Sequence, residues 1–146
     1  MSITACPICV KHQTLPEHTG DVIEERGGLT LTHFPFLKDE PATKGRLVVE
    51  PKRHVEDFSD LSEEEAAALG LLIKSGIMRL TIGLHAEHVY VFRINDKVAH
   101  LHFHLVPRFP GVPKDFRGLK ILDWPQAERV TLTEIKRITQ ILKGVL

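Results

Sequence analysis

Seven residues, His100-Leu101-His102-Phe103-His104-Leu105-Val106, constrain this chain more than any other stretch. Polar and apolar side chains alternate strictly, and a β-strand points successive side chains to opposite faces. The spacing therefore predicts a strand over 100–106, closed by Pro107. His100, His102 and His104 would share one face, about 6 to 7 Å from each to the next. Leu101, Phe103 and Leu105 fall on the other face and can enter a core. Three imidazoles in a row are poor packing material. Each needs a hydrogen-bond partner when neutral, and together they repel when protonated. Such a row suits an anionic ligand, a metal ion or both. Residues i and i+2 of a strand can share a metal, but i and i+4 are too far apart for bonds of about 2.0–2.1 Å. At most two of the three histidines thus belong to one ion.

The rest of the pattern places that strand in an α+β fold. The first 20 residues read as loop, broken by Pro7, Pro16 and Gly20. Asp21–Glu25 and Leu29–Phe34 read as a hairpin around Arg26-Gly27-Gly28. A turn-rich stretch then leads to a buried strand over Arg46–Glu50. The long helix starts at Ser62, an N-cap with Glu65 three residues on. Leu69, Leu72, Ile73, Ile77 and Leu80 form its apolar stripe, and Gly83 is its expected end. Val89–Ile94 reads as a strand and Asn95-Asp96-Lys97 as a turn. Residues 107–127 read as an ordered, irregular loop, and a final helix capped by Thr131 or Thr133 runs to Lys143. Without a repeating βαβ rhythm, the expectation is one domain over 1–146 with an antiparallel sheet of about five strands. Residues 1–20 form its N-terminal loop and 107–146 a C-terminal extension.

Composition narrows the function classes. Of the 146 residues, 19 are Lys or Arg and 19 are Asp or Glu, so there is no general pull toward nucleic acid or an anionic membrane. No apolar run approaches the roughly 20 residues of a membrane span. MSITACPICVKH lacks the apolar core of a signal peptide, so secretion is not expected. The chain is expected in the cytoplasm, where its two cysteines stay reduced.

Cys6-Pro7-Ile8-Cys9 is a C-x-x-C pair placed in a loop rather than at the strand–helix junction of a redox motif. Zinc is favoured, and one such pair needs two further ligands. His12 and His18 would close a local knuckle. His54 and His100 would close a long-range Cys2His2 site. Spacing alone does not separate them.

At this point the residues resemble a known family. HLHFHLVPR resembles the signature of the histidine triad (HIT) superfamily, His-φ-His-φ-His-φ-φ with φ apolar. CPIC and RLVVEPKRHVEDFSDLSEEE are similar to its bacterial zinc-containing branch of diadenosine tetraphosphate hydrolase-like proteins. The resemblance runs from Cys6 to Arg108. It implies a HIT-like fold, a nucleotide substrate and a homodimer. The implied activity is hydrolysis or transfer of nucleotidyl groups at the α-phosphorus of dinucleoside polyphosphates or nucleoside phosphoramidates, through a covalent nucleotidyl-histidine. His102 is then the nucleophile and His104 the second catalytic histidine, bonded to phosphate oxygens. Cys6, Cys9, His54 and His100 are the ligands of a structural zinc.

Three departures mark this chain. A Gly-x-x-x-Gly-Gln-type loop before the triad is missing, which leaves Asn95 as the expected polar contact. Arg46 follows Gly45 where several relatives carry histidine. Thr32 and His33 stand where an acidic ribose-binding residue is usual, so His33 is the expected contact there. Trp124-Pro125 is placed either over the site or at a dimer interface. The missing glutamine also keeps a second class open, a nucleotide-binding module without turnover. A zinc-dependent nucleic-acid or partner-binding protein is a third, against which the neutral charge counts.

Overall fold

The computed structural model describes residues 6–15, 17–37 and 42–146. Pro16 and part of the expected turn-rich stretch lie outside them. Five strands make one antiparallel sheet in the order β1-β2-β3-β5-β4. They are β1 (Glu24–Arg26), β2 (Leu29–His33), β3 (Leu47–Pro51), β4 (His88–Phe92) and β5 (Phe103–Arg108). Among the described residues three α-helices accompany them: α1 (Pro7–Thr14), α2 (Glu63–Leu84) and α3 (Leu132–Lys143).

The two long helices start as their sequences dictate. Ser62 and Thr131 are N-caps, and each completes a capping box, with Glu65 and Glu134 respectively. Helix α2 runs past Gly83 and ends on His85 in the left-handed region (φ 60, ψ 35). Gly83 is needed for packing instead, because a Cβ there would stand 2.9 Å from Val145 Cγ2. Gly76 plays the same part against the sheet, where a Cβ would meet Leu105 Cδ1 at 2.4 Å. Helix α2 thus lies close on one sheet face, over Leu29, Leu31, Leu47, Val49 and Leu105.

By length and composition α2 is apolar enough to cross a membrane, contrary to the expectation that no apolar run is long enough. Here it is the core helix. Arg79 in its middle is buried, with Nη2 3.2 Å from Glu24 Oε2 and Nη1 donating to Leu142 O at 2.6 Å. A buried guanidinium so satisfied ties α2 to β1 and to the end of α3.

Two sequence expectations need correction. The N-terminal loop contains a helix, α1, with Pro7 in its first turn, where a missing N–H costs nothing. The histidine strand begins at Phe103 and continues through Pro107 to Arg108. Its expected start is diverted because Leu101 N–H donates to Val55 O at 2.6 Å, outside the ladder. Pro107 is tolerated for a geometric reason. Arg108 O accepts from Glu87 N–H on the β4 side, so the position of Pro107's absent N–H faces the β3 side, where pairing has ended at Leu105. Trp124 packs with Phe116 and Tyr90 against Val106, Val112 and Ile121.

Candidate active site

The register puts Val48, His104 and Phe92 in one row across β3, β5 and β4. Glu50 and Val106 share that face, opposite α2. Helix α1 and the 94–98 segment wall the face, and Leu122 from the C-terminal extension adds to them. Together they enclose a cavity of about 550 Å³, within the range of small-molecule sites. Phe34, Pro35, Val48, Phe92 and Val98 give it apolar walls, and Arg46, Lys11, His102 and His104 give it polar ones.

The three histidines divide. His102 and His104 line the cavity, their ring centroids 5.0 Å apart and the rings nearly perpendicular. His100 is fully buried beyond it. His102 Nδ1 lies 2.6 Å from His100 O. A carbonyl only accepts, so Nδ1 carries the proton and Nε2 is the basic nitrogen. His104 Nδ1 stands 3.4 Å from Arg46 Nη2, so Nδ1 accepts and Nε2–H remains as a donor. Burial, then the Arg46 and His102 charges, pull the His104 pKa down to about 3. His104 is therefore a neutral donor, and the positive charge beside it belongs to Arg46. The Arg46 guanidinium lies over the Phe34 ring at 3.8 Å, an arrangement that orients it. Arg46, the residue after Gly45, thus supplies the cation beside His104.

Behind the triad, Cys6, Cys9, His54 and His100 bring one ligand atom each to within 4.8 Å of one another. His100 Nδ1 is 3.4 Å from Cys6 Sγ and 3.6 Å from Cys9 Sγ, and His54 Nδ1 is 3.5 Å from Cys9 Sγ. A tetrahedral ion with bonds of about 2.3 Å to sulfur and about 2.05 Å to nitrogen has S···N edges of about 3.5 Å, so the donor set fits. Both ligand histidines have outer partners. His100 Nε2–H donates to Pro51 O at 2.8 Å, and His54 Nε2 faces Glu56 Oε1 at 3.3 Å. Such contacts present Nδ1 to a metal. Burial, with Cys6 and Glu50 beside it, pushes the Cys9 thiol up to about 11. A bound cation would reverse that by taking the thiolate. This cluster can hold a metal ion.

A family model for the HIT domain matches residues 32–111. The chain belongs to the histidine triad family. HIT relatives of known name include the adenosine 5'-monophosphoramidase of Schizosaccharomyces pombe, 30% identical over 111 residues that span 73% of this chain and 77% of that one. The adenosine 5'-monophosphoramidase of Saccharomyces cerevisiae is 25% identical over 118 residues, spanning 77% of this chain and 66% of that one. Among solved structures, a histidine triad nucleotide-binding protein from Sulfolobus tokodaii superposes with a TM-score of 0.71 at 18% identity, over 96% of this chain and 91% of the other. A Zn-bound histidine triad protein from Mycobacterium smegmatis superposes at 0.69 and 21% identity, over 98% and 96%. At these identities the likeness is one of fold.

Other expected site residues sit elsewhere. His33 is fully buried, its Nδ1–H donating to Phe34 O at 2.8 Å and its Nε2 accepting from Gly45 N–H at 3.1 Å. It clamps the turn before Arg46 and does not line the cavity, so its expected nucleotide contact is corrected. Burial takes its pKa down to about 4. Asn95 donates to Glu56 O at 2.8 Å and lines the cavity no more than His33 does; Asp96 and Lys97 are the polar residues of that loop that do. His12 stands 3.2 Å from Glu50 Oε1 and His18 lines the cavity, so the local knuckle does not assemble. Sequence reasoning missed Lys11 and Glu50. A glutamate in an apolar strand, RLVVEP, was the available signal, since a buried carboxylate needs a partner.

Proposed function

We propose that this protein is a nucleotidyl hydrolase or transferase that works through His102. The observation that carries the reading is the bond from His102 Nδ1 to the His100 carbonyl, which leaves Nε2 basic in a nucleotide-sized cavity. The two phosphoramidase relatives support a nucleoside phosphoramidate as substrate, with dinucleoside polyphosphates as the related class. His102 Nε2 attacks the α-phosphorus, the phosphorus–nitrogen or phosphoanhydride bond breaks, and the leaving group departs with its electron pair and takes up a proton. Water or another acceptor then displaces the imidazole and releases the nucleotide. His104 Nε2–H and the Arg46 charge face the non-bridging oxygens, where negative charge builds.

Zinc is the metal proposed for the Cys6, Cys9, His54 and His100 cluster. Four protein ligands leave it no open position, so it serves as a cross-link between α1 and the triad segment. A homodimer is part of the same proposal. Edge strand β4 leaves Val91 exposed, and the outer face of α2 leaves Leu71, Met78 and Ile82 exposed, an apolar surface that a second copy can cover.

The test is turnover of adenosine 5'-phosphoramidate by wild type and His102→Ala. Loss of turnover by a factor on the order of 10³ or more, with folding intact, is expected; near-normal turnover in that variant would remove His102 from the mechanism. The bonding of Asn95 away from the cavity favours a second reading, a binding module without turnover. Calorimetric binding of adenosine monophosphate without product release from any nucleotidyl substrate would establish that reading instead.

A further inference from the structure

Helix α1 serves two sites with eight residues. Cys6 and Cys9 belong to the metal-ligand cluster, while Pro7, Val10, Lys11 and Thr14 face the cavity. Among the described residues, little else holds it. Isolated helices shorter than about 12–15 residues are marginal in water. Cys6, its N-cap, makes no side-chain capping bond. Its apolar packing is a small cluster of Cys6, Ile8 and Cys9 with Val98. What remains is charge. Lys11 Nζ and His12 Nε2 both meet the carboxylate of Glu50, and Glu50 is 1% exposed. Glu50 also lies beside the triad. It lines the cavity together with His102 and His104.

We propose that Glu50 is a positioning residue that couples the metal cluster to the nucleotide cavity through Lys11. This rests on reading the cavity as a nucleotide site. The helix has two polar clamps, the metal ligands and the Glu50 pair, and one of its faces is a wall of the cavity. A metal that seats α1 completes that wall, and a nucleotide that touches the wall favours the seated helix. Each ligand then strengthens the binding of the other by the same factor, because coupling between two binding sites is reciprocal. Removing the Glu50–Lys11 clamp leaves the metal bound to a helix whose cavity face is no longer held.

Zinc affinity is measured by competition against a colorimetric chelator, with and without saturating adenosine monophosphate. Nucleotide affinity is measured by calorimetry on zinc-loaded and chelator-treated protein. Wild type should show one common coupling factor of at least about fivefold. In Lys11→Met, zinc binding without nucleotide persists and both factors fall toward one. Lys11→Arg, which keeps the charge, retains more coupling than Lys11→Met. Removing Lys11 alone leaves Glu50 short of a partner, so the Lys11→Met/Glu50→Gln double variant, which leaves no buried unpaired charge, is measured as well. It should lose the coupling to the same extent. Nucleotide binding that is indifferent to zinc in wild type, or coupling undiminished in the double variant, overturns the inference and leaves the functional reading standing. Zinc-loaded wild type that binds no adenosine monophosphate overturns both.

Discussion

At the scale of single residues, the division of labour among the imidazoles follows from what each Nδ1 touches. On His102 it donates to a carbonyl, on His104 it faces a guanidinium, and on His100 it faces two sulfurs. The same side chain thereby presents a free Nε2, an Nε2–H donor and an Nδ1 that could hold a metal within five residues. Arg46 has the most to lose by substitution. It is the permanent cation next to His104, and hydrogen bonds to charged groups contribute about 1.5–3 kcal/mol. Arg46→Ala should therefore lower kcat/KM on a nucleotidyl substrate by about 10- to 100-fold. Arg46→Lys should recover only part of it, because an ammonium cannot stack on Phe34 or fork as a guanidinium does. Steady-state kinetics on the three proteins checks this, and equal rates would move the phosphate away from Arg46.

At the scale of elements, α1 is the piece whose existence was least legible. The segment reads as loop because Pro7, Pro16 and Gly20 break it and its eight helical residues show no apolar period. The groups that meet the helix, His54 and His100 at its cysteines and Glu50 at Lys11 and His12, are distant in sequence. Metal content distinguishes the two ligand sets that spacing left open. One zinc per chain is expected for wild type and for His12→Ala, and well under one for Cys6→Ser, by elemental analysis after dialysis. The reverse pattern would give the site to His12 and His18. Helix α2 was legible down to its first residue, because a capping box is a local signal; for α3 the sequence left Thr131 and Thr133 open, and the structure caps it with Thr131. The end of α3 at Lys143 was legible too, but the end of α2 was not, since Gly83 answers to α3 rather than to the end of its own helix.

At the scale of the whole molecule, buried titratable groups set how the fold responds to acid. His33 has its pKa taken down to about 4 by burial, and His104 to about 3 by burial and the neighbouring charges. Both are neutral in the fold, and the unfolded chain protonates first, near pH 6.5. Their contribution is therefore complete above about pH 6.5 and lost as pH falls toward those lower values. Burial alone would raise the Glu50 carboxyl, but the Lys11 ammonium and His12 outweigh it and hold it at about 2. Its contribution is present above about pH 4.5 and lost as pH falls toward 2. All three act in the same direction. The Tm should fall between pH 7.5 and 5, with His33 alone costing on the order of 2 kcal/mol at pH 5. Calorimetric scans check this, and His33→Gln should flatten the slope; a Tm indifferent to pH over that range refutes it. The apolar outer face of α2 and edge strand β4 belong to this scale too. Light scattering should give the mass of two chains, and Met78→Glu/Ile82→Glu should return it to one.

Sequence alone determined the class of fold, the capped helices, the pairing of a C-x-x-C with histidines and the alternation that marks the triad. All of these are written in local patterns of two to four residues, where the backbone geometry is periodic. Tertiary structure decided the rest. It brought His54 and His100, rather than His12 and His18, together with the two cysteines, left His33 and Asn95 out of the cavity lining, and put Arg46, Lys11 and Glu50 into it. Those choices depend on which backbone carbonyl or charge lies across the sheet from a given ring. That distance is set by the strand order and by a seam between α1 and β3, and no stretch of contiguous residues records it.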